Sequence, residues 1–485
     1  MPYQNPIRKI LQSGIFRRHS VATIRCGIKL LGGCVRRVLI ANRGEIALRA
    51  IRACRGLGLE TVAVHSSADR NASHVWAADR AVCIGPPPAK ASYLLGDALI
   101  AVAENTGCDS IYPGYGFLSE KSAFAEACAR SGLVFVGPDA ESIALMGDKV
   151  AARRTAAALG IPVVPGSEGG YLCAADAEAK AREIGYPLLL KASGGGGGRG
   201  MRVAESHDVF LARFEQATAE AEAAFGQPEI YLERFFSAVR HIEIQVFGDG
   251  HGNAVHLWER DCSVQRRHQK LVEEAPSPVL PPDTRRAMAE AALALVRGLR
   301  YRNAGTVEFI YDVESGSFFF IEMNTRIQVE HPVTEMLTGT DLVTEQFRVA
   351  RGEALSFGVP PEPDGRCVIE FRINAEDPGQ DFRPMPGTLA RWSPPVGPEI
   401  RLDSHVYEGY RVPPHYDSML AKLIVAGASR ADVLATARGA LRRFQVAGVP
   451  TTIPFHAALI DDPDFLDGRV HTRWVENTFL PREAA

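Results

Sequence analysis

Positions 38–65 read VLIANRGEIALRAIRACRGLGLETVAVH. The apolar run at 38–41 predicts a strand. Residues 46–57 predict a helix that ends at Gly58, and residues 61–65 predict a second strand. A strand, a helix and a second strand at this spacing are typical of a parallel sheet covered by helices, so this stretch predicts an α/β fold. No G-x-G-x-x-G follows the first strand, which argues against a nicotinamide-binding site.

Predicted strands and helices alternate up to residue 136, and a different pattern follows. Further elements are predicted as helices at 92–106 and 119–131 and as strands at 110–112 and 133–136. Beyond Asp148, glycine-rich turns accompany short strands at 188–191, 201–203 and 241–247. Proline and glycine cluster at 358–365, which predicts a linker. Strands of a last domain are predicted at 367–374, 388–392 and 422–425. The length of 485 residues also predicts three domains, at about 150 residues a domain.

The composition, with 46% hydrophobic and 23% charged residues, is that of a globular protein. No apolar run approaches the roughly 18 residues that cross a bilayer, so no membrane partner is expected. The formal net charge of −3 conceals two unlike parts, because residues 1–37 hold eight basic residues and no acidic one. The remainder carries −11 and lacks the basic surplus of a nucleic-acid-binding protein. Nine cysteines without a C-x-x-C predict reduced thiols and no zinc site.

The basic leader at 1–36 has two interpretations. An arginine-rich, acid-poor segment is typical of a mitochondrial or plastid transit peptide. The leader has only two serines, however, which favours a disordered extension or a start assigned too early. The expected location is therefore the cytoplasm, with an organelle as the alternative.

Residues 191–200 read KASGGGGGRG and lie between two predicted strands. Five consecutive glycines leave backbone N–H groups open to an oxyanion, and glycine tolerates the φ angles of such a loop. No Gly-Lys-Ser/Thr opens a helix here, which excludes a Walker A loop. A flexible linker is the alternative, but linkers rarely lie between two strands and beside a lysine. The run predicts a hairpin that covers phosphate groups.

Residues 306–322 predict a hairpin that carries two glutamates. A turn at 313–316 joins its strands, and Glu308 and Glu322 are equally distant from Ser315. In that register the two carboxylates face each other. Their repulsion destabilises this arrangement unless a cation lies between them. Oxygen ligands suit Mg²⁺ that holds phosphates. The alternative is that one glutamate turns to solvent.

Polar residues then recur at alternate positions, namely Glu322, Asn324, Arg326, Gln328 and Glu330. If the segment stays extended, they line one face of a strand. An acid, amides and an arginine on one face are the mixture expected of a site that handles anions. A basic run at 260–270, RDCSVQRRHQK, predicts by itself only a solvated loop.

Together these runs resemble the biotin carboxylase family within the ATP-grasp superfamily. The resemblance extends over about residues 38–480. It rests on the strings ANRGEIA at 41–47, MGDK at 146–149, KASGGGGGRG at 191–200, RDCSVQRRHQK at 260–270, EMNTRIQVEHPVTEM at 322–336 and RINAEDP at 372–378.

The resemblance implies a fold and an activity. The implied fold is α/β with a disordered leader at 1–36, a Rossmann-like N-terminal domain at 37–150, an ATP-grasp domain with a glycine-rich lid at 151–352 and a C-terminal biotin carboxylase domain at 366–475. The implied activity is ATP-dependent carboxylation of biotin by bicarbonate, through carboxyphosphate.

It also implies roles for individual residues. The expected ATP-binding residues are Lys149, Lys191, Gly197, Gly198, Glu233, Arg234, Phe235, Phe236, His241, Gln265, His268, Glu308 and Glu322. Two Mg²⁺ or Mn²⁺ ions are expected on Glu308, Glu322 and Asn324, and bicarbonate on Lys270, Arg326, Gln328 and Val329. Glu330 is the expected general base, and Arg372 is expected to bind biotin and to stabilise its enolate. The catalytic group is therefore Lys270, Arg326, Glu330 and Arg372.

The resemblance implies partners as well. Biotin is attached in this family at Met-Lys-Met, and none of the eight methionines here precedes a lysine, so a separate biotin carboxyl carrier protein is expected. Carboxyltransferase subunits and a second copy of the chain, as a homodimer, are the other expected partners. The implied pathway is acetyl-CoA carboxylase in fatty acid synthesis, and the alternative is the same subunit of another acyl-CoA, pyruvate or 2-oxo-acid carboxylase. Two alternative functions are another ATP-grasp ligase and a catalytically silent scaffold. The presence of the whole catalytic group argues against both.

Overall fold

The computed structural model describes residues 35–192, 201–225 and 228–483. The predicted leader lies almost wholly outside these residues, and so do Gly197 and Gly198. The chain forms two compact units. The smaller unit holds Pro162–Val239 and Ile310–Ile321, and the larger unit holds the rest. The first and last predicted domains thus belong to the same compact unit. The boundaries between the three predicted domains are not tested by this division and stay predictions.

The larger unit begins with a parallel sheet of five strands in the order β3-β2-β1-β4-β5. The strands are β1 (Arg37–Ile40), β2 (Glu60–Ser66), β3 (Arg80–Gly85), β4 (Ser110–Tyr112) and β5 (Val134–Phe135). The helices are α1 (Gly44–Gly56), α2 (Ser73–Ala77), α3 (Gly96–Thr106), α4 (Ser122–Arg130), α5 (Ala140–Gly147) and α6 (Lys149–Ala158). Helix α1 buries Ile46, Ala47 and Ala50 in the same apolar cluster as Val38 and Ile40. The predicted α/β winding is confirmed.

The smaller unit contains an antiparallel sheet of three strands in the order β7-β6-β8. These strands are β6 (Leu188–Ala192), β7 (Met201–Ala204) and β8 (Ile230–Arg234), and the helices are α7 (Ala174–Ile184) and α8 (His207–Phe225). The alanines of α7 and two phenylalanines of α8, Phe210 and Phe214, pack on Leu188, Leu190 and Leu232. Strands β6 and β7 pair antiparallel on either side of the glycine-rich run, as predicted for a hairpin.

The remaining elements belong mostly to the larger unit. The next strands are β9 (Val239–Asp249), β10 (Ala254–Arg266), β11 (Gln269–Ala275), β12 (Arg302–Asp312), β13 (Ser317–Asn324) and β14 (Cys367–Asn374). They are followed by β15 (Glu376–Asp377), β16 (Arg383–Pro384), β17 (Gly387–Thr388), β18 (Arg391–Ser393), β19 (Ile400–Ser404), β20 (Arg411–Val412), β21 (Met419–Gly427) and β22 (Gln445–Ala447). The helices are α9 (Pro282–Leu299), α10 (His331–Thr338), α11 (Leu342–Ala350), α12 (Arg430–Arg443), α13 (Ile453–Leu459), α14 (Pro463–Leu466) and α15 (Leu480–Glu483), with a π-helix at Val475–Phe479.

A sheet of eight strands, in the order β13-β12-β9-β10-β11-β14-β21-β19, carries most of the polar residues of interest. The core on one of its faces joins Phe371, Leu423 and Val425 to Leu434 and Leu441 of α12. Among the described helices, none is both long enough and apolar enough to cross a bilayer.

The predicted strand at 388–392 is wrong as a single element. It is divided between β17 and β18, which pair with different partners, β20 and β22. Leu389 donates its N–H to Tyr410, and Ala390 donates to Ala447, so the chain changes partner between these two residues. No helix or strand forms at 358–365, where a linker was predicted, and both sides of that segment belong to the larger unit.

Candidate active site

The carboxylate of Glu330 lies just before α10 and is buried. Lys270 Nζ lies 2.6 Å from its Oε1, and Arg372 Nη2 donates to its Oε2 at 2.9 Å. Burial raises the pKa of Glu330, but the cations around it, Lys270 foremost, outweigh burial and hold that pKa well below its usual range. Glu330 is therefore ionised at neutral pH and can only accept hydrogen bonds.

Lys270 is surrounded by three carboxylates. Its Nζ lies 2.7 Å from Glu243, 2.6 Å from Glu330 and 3.3 Å from Glu308. Burial lowers the pKa of Lys270, but the thiol and the carboxylates around it raise that pKa well above its usual range. The ammonium is thus a permanent charge at the centre of the cluster.

Glu308 is the meeting point of two predicted amides. Asn324 Nδ2 donates to its Oε1 at 2.7 Å, and Gln328 Nε2 donates to the same oxygen at 2.8 Å. His241 Nε2 lies 3.1 Å from the other oxygen, Oε2. Burial raises the pKa of Glu308, but Lys270 and His241 lower it below its usual range, so this carboxylate is also ionised.

The predicted metal ligands lie on neighbouring strands, Glu308 within β12 and both Glu322 and Asn324 at the end of β13. Asn324, rather than Glu322, contacts Glu308, and Glu322 precedes Asn324 by two residues on β13. Alternate residues of a strand point to the same face, so Glu322 and Asn324 share one face of β13. Two carboxylates and an amide oxygen suit Mg²⁺. A second set of donor atoms within 4.8 Å joins His241, Glu243 and Glu308, but the two carboxylates of that set already hold an ammonium between them. The Glu308, Glu322 and Asn324 set stays the predicted one.

The expectation that residues 322–330 stay extended is wrong. Strand β13 ends at Asn324, and the chain bends at Thr325 because its N–H donates to Oε1 of Glu120 instead of to a neighbouring strand. Arg326 is turned by the same carboxylate, with Nε 2.9 Å from Glu120 Oε2, and its Nη2 donates to Asn324 at 2.9 Å. The bend nevertheless brings Gln328 onto Glu308, as the alternation required.

Arg372 is held between two carboxylates. Its Nε donates to Oε1 of Glu273 at 2.6 Å, and its Nη2 donates to Glu330. Burial lowers the pKa of Arg372, but Glu273 and Glu330 raise it above its usual range. Burial raises the pKa of Glu273 to about 7, and the cation of Arg372 opposes that rise. The residue predicted to bind biotin is therefore fixed against the predicted base.

The other predicted residues of the larger unit surround this cluster. Lys149 is mostly exposed and its Nζ lies 3.3 Å from Oε2 of Glu322. Gln265 is buried directly opposite Lys270 across β10 and β11. His268 lies in the two-residue turn between these strands, where its φ of 64° is in the left-handed region. The carbonyl oxygen of Val329 accepts from another lysine, Lys422, at 2.9 Å.

The smaller unit holds the remaining predicted ATP-binding residues. Lys191 forms an ion pair with Glu233, and its ammonium lies 5.7 Å from the centre of the Tyr231 ring. Phe235 donates its N–H to Pro187, and Phe236 is stacked on Phe319 with ring centres 5.3 Å apart. Arg234 ends β8 and donates through Nη1 to Ile184 at 3.5 Å. An ammonium and the faces of aromatic rings are groups that can bind a nucleotide.

Four buried ionic residues of the cluster were missed from the sequence, namely Glu243, Arg260, Glu273 and Lys422. Arg260 is the most connected, with Nε 2.6 Å from Glu243 and Nη2 donating to Gln328 at 2.9 Å. Lys422 stands alone in the apolar strand MLAKLIVAG, and Glu243 in HIEIQVF. A lone charge within an apolar strand was the available signal, because a charge is buried only where it is paired.

Three family models match successive parts of the chain. They describe the biotin carboxylase N-terminal domain at residues 34–143, the carbamoyl-phosphate synthase L chain ATP binding domain at 148–357 and the biotin carboxylase C-terminal domain at 370–477. A biotin carboxylase of Nostoc sp. is 52% identical over 440 residues, which are 91% of this chain and 98% of the relative. A biotin carboxylase of Haemophilus influenzae is 52% identical over 441 residues, again 91% of this chain and 98% of the relative.

Solved structures agree with these matches. The biotin carboxylase domain of Hydrogenobacter thermophilus 2-oxoglutarate carboxylase, a dimer in complex with MgADP, ADP and bicarbonate, aligns with a TM-score of 0.84 at 46% identity, over 91% of this chain and 97% of that one. Biotin carboxylase of Campylobacter jejuni, in a β,γ-ATP complex, aligns with a TM-score of 0.83 at 43% identity, over 91% of this chain and 98% of that one. With three domain models in order and half of its residues shared over nearly the full length of its relatives, the chain belongs to the biotin carboxylase family of ATP-dependent ligases.

Proposed function

We propose that this chain transfers the carboxyl group of bicarbonate to biotin on a separate carrier protein, with cleavage of ATP. The observation that supports this most is the setting of Glu330, a buried carboxylate held at 2.6 Å by Lys270 and at 2.9 Å by Arg372. A general base must be ionised, and the cations beside it must attract the anion that it deprotonates. Bicarbonate carries both a proton and a negative charge, and it therefore suits this setting.

In the first step, Glu330 accepts the proton of bicarbonate, and the oxygen so exposed attacks the γ-phosphorus of ATP. A new P–O bond gives carboxyphosphate as the bond to ADP breaks. Lys270, Arg326, Gln328 and Val329 would hold the bicarbonate. When bicarbonate binds, the Lys270 ammonium interacts with bicarbonate as well as with Glu330. It then stabilises the Glu330 carboxylate less, and the pKa of Glu330 rises toward a value useful for a base.

In the second step, carboxyphosphate divides into CO₂ and phosphate. The phosphate takes the proton from N1 of biotin, and N1 forms a bond to the carbon of CO₂. Arg372 would stabilise the negative charge that develops on the ureido oxygen of biotin. Because Arg372 also binds Glu330, the two steps share one arginine.

The residues proposed to bind the nucleotide are those that the family resemblance implies. Lys149 and Lys191, with Gly197 and Gly198, would contact its phosphates, and Glu233–Phe236, His241, Gln265 and His268 would contact the rest. Glu308, Glu322 and Asn324 would hold Mg²⁺ or Mn²⁺. Such an ion, when bound, neutralises charge on the transferred phosphate.

The expected partners are a biotin carboxyl carrier protein, carboxyltransferase subunits and a second copy of the chain. The relative from Hydrogenobacter thermophilus is a dimer, which supports the homodimer. We assign the reaction to acetyl-CoA carboxylase in fatty acid synthesis. A pyruvate or 2-oxo-acid carboxylase is the second candidate, favoured by the likeness to the 2-oxoglutarate enzyme. Carboxylation of purified carriers from each system, compared at equal concentration, decides between them.

The activity is tested by measuring phosphate release from ATP with and without bicarbonate, and with and without free biotin. We expect release to require bicarbonate and to increase with biotin. Glu330→Gln should remove the bicarbonate-dependent part. Release that is indifferent to both additions would contradict the proposal.

A further inference from the structure

A buried ion pair lies behind the residues proposed to bind bicarbonate, and the chemistry above does not use it. Lys422, in the middle of β21, has no exposed surface. Its Nζ lies 2.9 Å from Oε1 of Glu45 and donates to the carbonyl oxygen of Val329 at 2.9 Å. Asp403, opposite Lys422 on β19, is 3.9 Å away. Lys422 therefore connects an N-terminal helix to the segment that carries Glu330.

Glu45 belongs to the string ANRGEIA, for which the proposed reaction has no role. It lies in the first turn of α1 and is buried. Its Oε1 accepts a second hydrogen bond, from the hydroxyl of Tyr115. Two donors on one oxygen fix the carboxylate in place, so Glu45 is a rigid anchor for Lys422.

The anchor is itself supported by the turn at Pro113–Tyr115. Asn42 Nδ2 donates to the carbonyl oxygens of Pro113 at 2.6 Å and of Tyr115 at 2.7 Å. Gly114 has a φ of +63°, and a Cβ on it would lie 3.0 Å from Ile46 and 3.1 Å from the Asn42 amide. The turn therefore packs against α1 without room for a side chain, and it holds Tyr115 over Glu45.

A buried ammonium is costly unless it is paired. Burial lowers the pKa of Lys422, but Glu45 raises it more than any other carboxylate does, with Glu370 and Asp403 adding to the effect, and the net shift is upward. Lys422 therefore stays charged, and a charged donor makes a stronger hydrogen bond to a carbonyl than a neutral donor does.

The bond to Val329 acts on the peptide between Val329 and Glu330. Peptide groups are planar, so fixing the carbonyl of Val329 also fixes the direction of the next N–H and the start of Glu330. On one side of this peptide, Gln328 contacts Glu308 at 2.8 Å. On the other side, Glu330 contacts Lys270 at 2.6 Å. The relative placement of these two side chains depends on the peptide between them.

We infer that Lys422 and Glu45 are positioning residues for the bicarbonate site: Lys422, anchored by Glu45, fixes the Val329–Glu330 peptide and so keeps Gln328 and Glu330 at the spacing that bicarbonate needs. This inference rests on the proposed function. It gives the ANRGEIA string a role in the reaction without any contact with substrate.

The test separates substrate affinities. In Lys422→Met we expect the KM for bicarbonate to rise about tenfold or more, as for loss of a charge-assisted hydrogen bond. The KM for ATP should change by less than about twofold, since Lys422 contacts none of the residues proposed to bind the nucleotide. Lys90→Met, which changes an exposed lysine outside the site, is the control and should leave both values unchanged. A merely structural role would lower kcat or the amount of folded protein without a selective change for bicarbonate.

Lys422→Met alone leaves the Glu45 carboxylate buried beside no cation and can prevent folding. The double variant Glu45→Leu/Lys422→Met removes both charges, and replacement of a buried ion pair by apolar residues often leaves stability unchanged. We expect it to melt within about 5 °C of the wild type and still to show the raised KM for bicarbonate. Glu45→Gln keeps an acceptor oxygen for Lys422 but removes its nearest carboxylate, so its KM is measured on the folded fraction. It should stay within about threefold of the wild-type value.

Two results are distinguishable. If wild-type phosphate release does not depend on bicarbonate, the proposed function fails and the positioning role fails with it. If the wild type does depend on bicarbonate, while the folded single or double variant keeps the wild-type KM for bicarbonate, only the positioning role is overturned. A KM for bicarbonate that rises as much in Glu45→Gln as in the double variant would also overturn it.

Discussion

Arg372 and Glu330 form a buried ion pair, with Nη2 of the arginine 2.9 Å from Oε2 of the glutamate. Glu273 binds the opposite side of the same guanidinium at 2.6 Å. Because Arg372 keeps one carboxylate when the other is removed, its side chain stays in place in a Glu330 variant. The base can therefore be altered without loss of the arginine proposed to bind biotin.

Glu330→Gln should lower bicarbonate-dependent phosphate release by about 10²–10⁴-fold, the usual contribution of a general base. The amide oxygen can accept from only one of the two cations, Lys270 or Arg372. Glu330 is not among the residues proposed to bind the nucleotide, so nucleotide binding should be unchanged in a fluorescence titration with ATP. Glu353→Gln, at an exposed loop position, is the matched control. Lost nucleotide binding in the Glu330 variant would contradict its assignment as base.

Arg260→Met should lower the free energy of unfolding by about 3–5 kcal/mol, because it removes the buried donor to Oε1 of Glu243 and to Oε1 of Gln328. The guanidinium of Arg260 has no exposed surface and lies 2.6 Å from Glu243. Urea denaturation measures the change. Arg438→Met removes a surface ion pair with Asp461 and should cost less than about 1 kcal/mol. Equal losses in the two variants would show that burial does not decide the effect.

Glu370→Gln should be tolerated, although it alters a buried acid. Glu370 lies directly opposite Glu273 on the neighbouring strand, and neither of its oxygens has a hydrogen-bond partner. Burial raises the pKa of Glu370 well above its usual range, which favours the protonated form, and glutamine resembles that form in charge and size. The free energy of unfolding should stay within about 1 kcal/mol of the wild type. A loss of several kcal/mol would mean that Glu370 is ionised in the native state.

Buried histidines should make the protein sensitive to mild acid. Burial lowers the pKa of His74 to about 4, of His405 to about 3 and of His456 to about 4. As pH falls below about 6.5, these histidines become protonated in the unfolded chain but stay neutral in the folded protein. The free energy of unfolding therefore decreases, by about 2 kcal/mol per histidine at pH 5.

The measurement is urea denaturation at pH 7 and at pH 5. His405→Phe should recover about 2 kcal/mol of the loss at pH 5 relative to the wild type. Glu273 acts in the opposite sense, because its pKa of about 7 gives stability that is present in acid and lost as pH rises through that value. If the wild type and His405→Phe lost the same stability between pH 7 and pH 5, the assignment of His405 as a neutral buried histidine would be contradicted.

Local patterns predicted the fold well where a single element buries one face. Strand β4 has the predicted bounds, and β1 and α1 differ from theirs by one or two residues. The pattern failed at 388–392 and at Thr325, where a distant partner decides the conformation: Tyr410 and Ala447 in the first case and Glu120 in the second. Such partners are far apart in the chain, and no local period reports them.

The same limit applies to the site. Alternate polar residues at 322–330 predicted the groups that meet at Glu308, although the chain bends between them. Arg260 pairs with Glu243 on a neighbouring strand, and Lys422 pairs with Glu45 on α1, so these partners became visible only in the folded structure. A lone charge in an apolar strand predicts that a partner exists, but it does not identify the partner.

The smaller unit consists of two separate stretches, Pro162–Val239 and Ile310–Ile321, and β12 and β13 each run across its boundary. A genetic exchange between two carboxylases that replaces one continuous segment would divide this unit between two parents. Its core would then combine side chains selected in different backgrounds. Hybrid enzymes of this family should therefore be joined outside residues 162–321, so that the insertion is inherited whole.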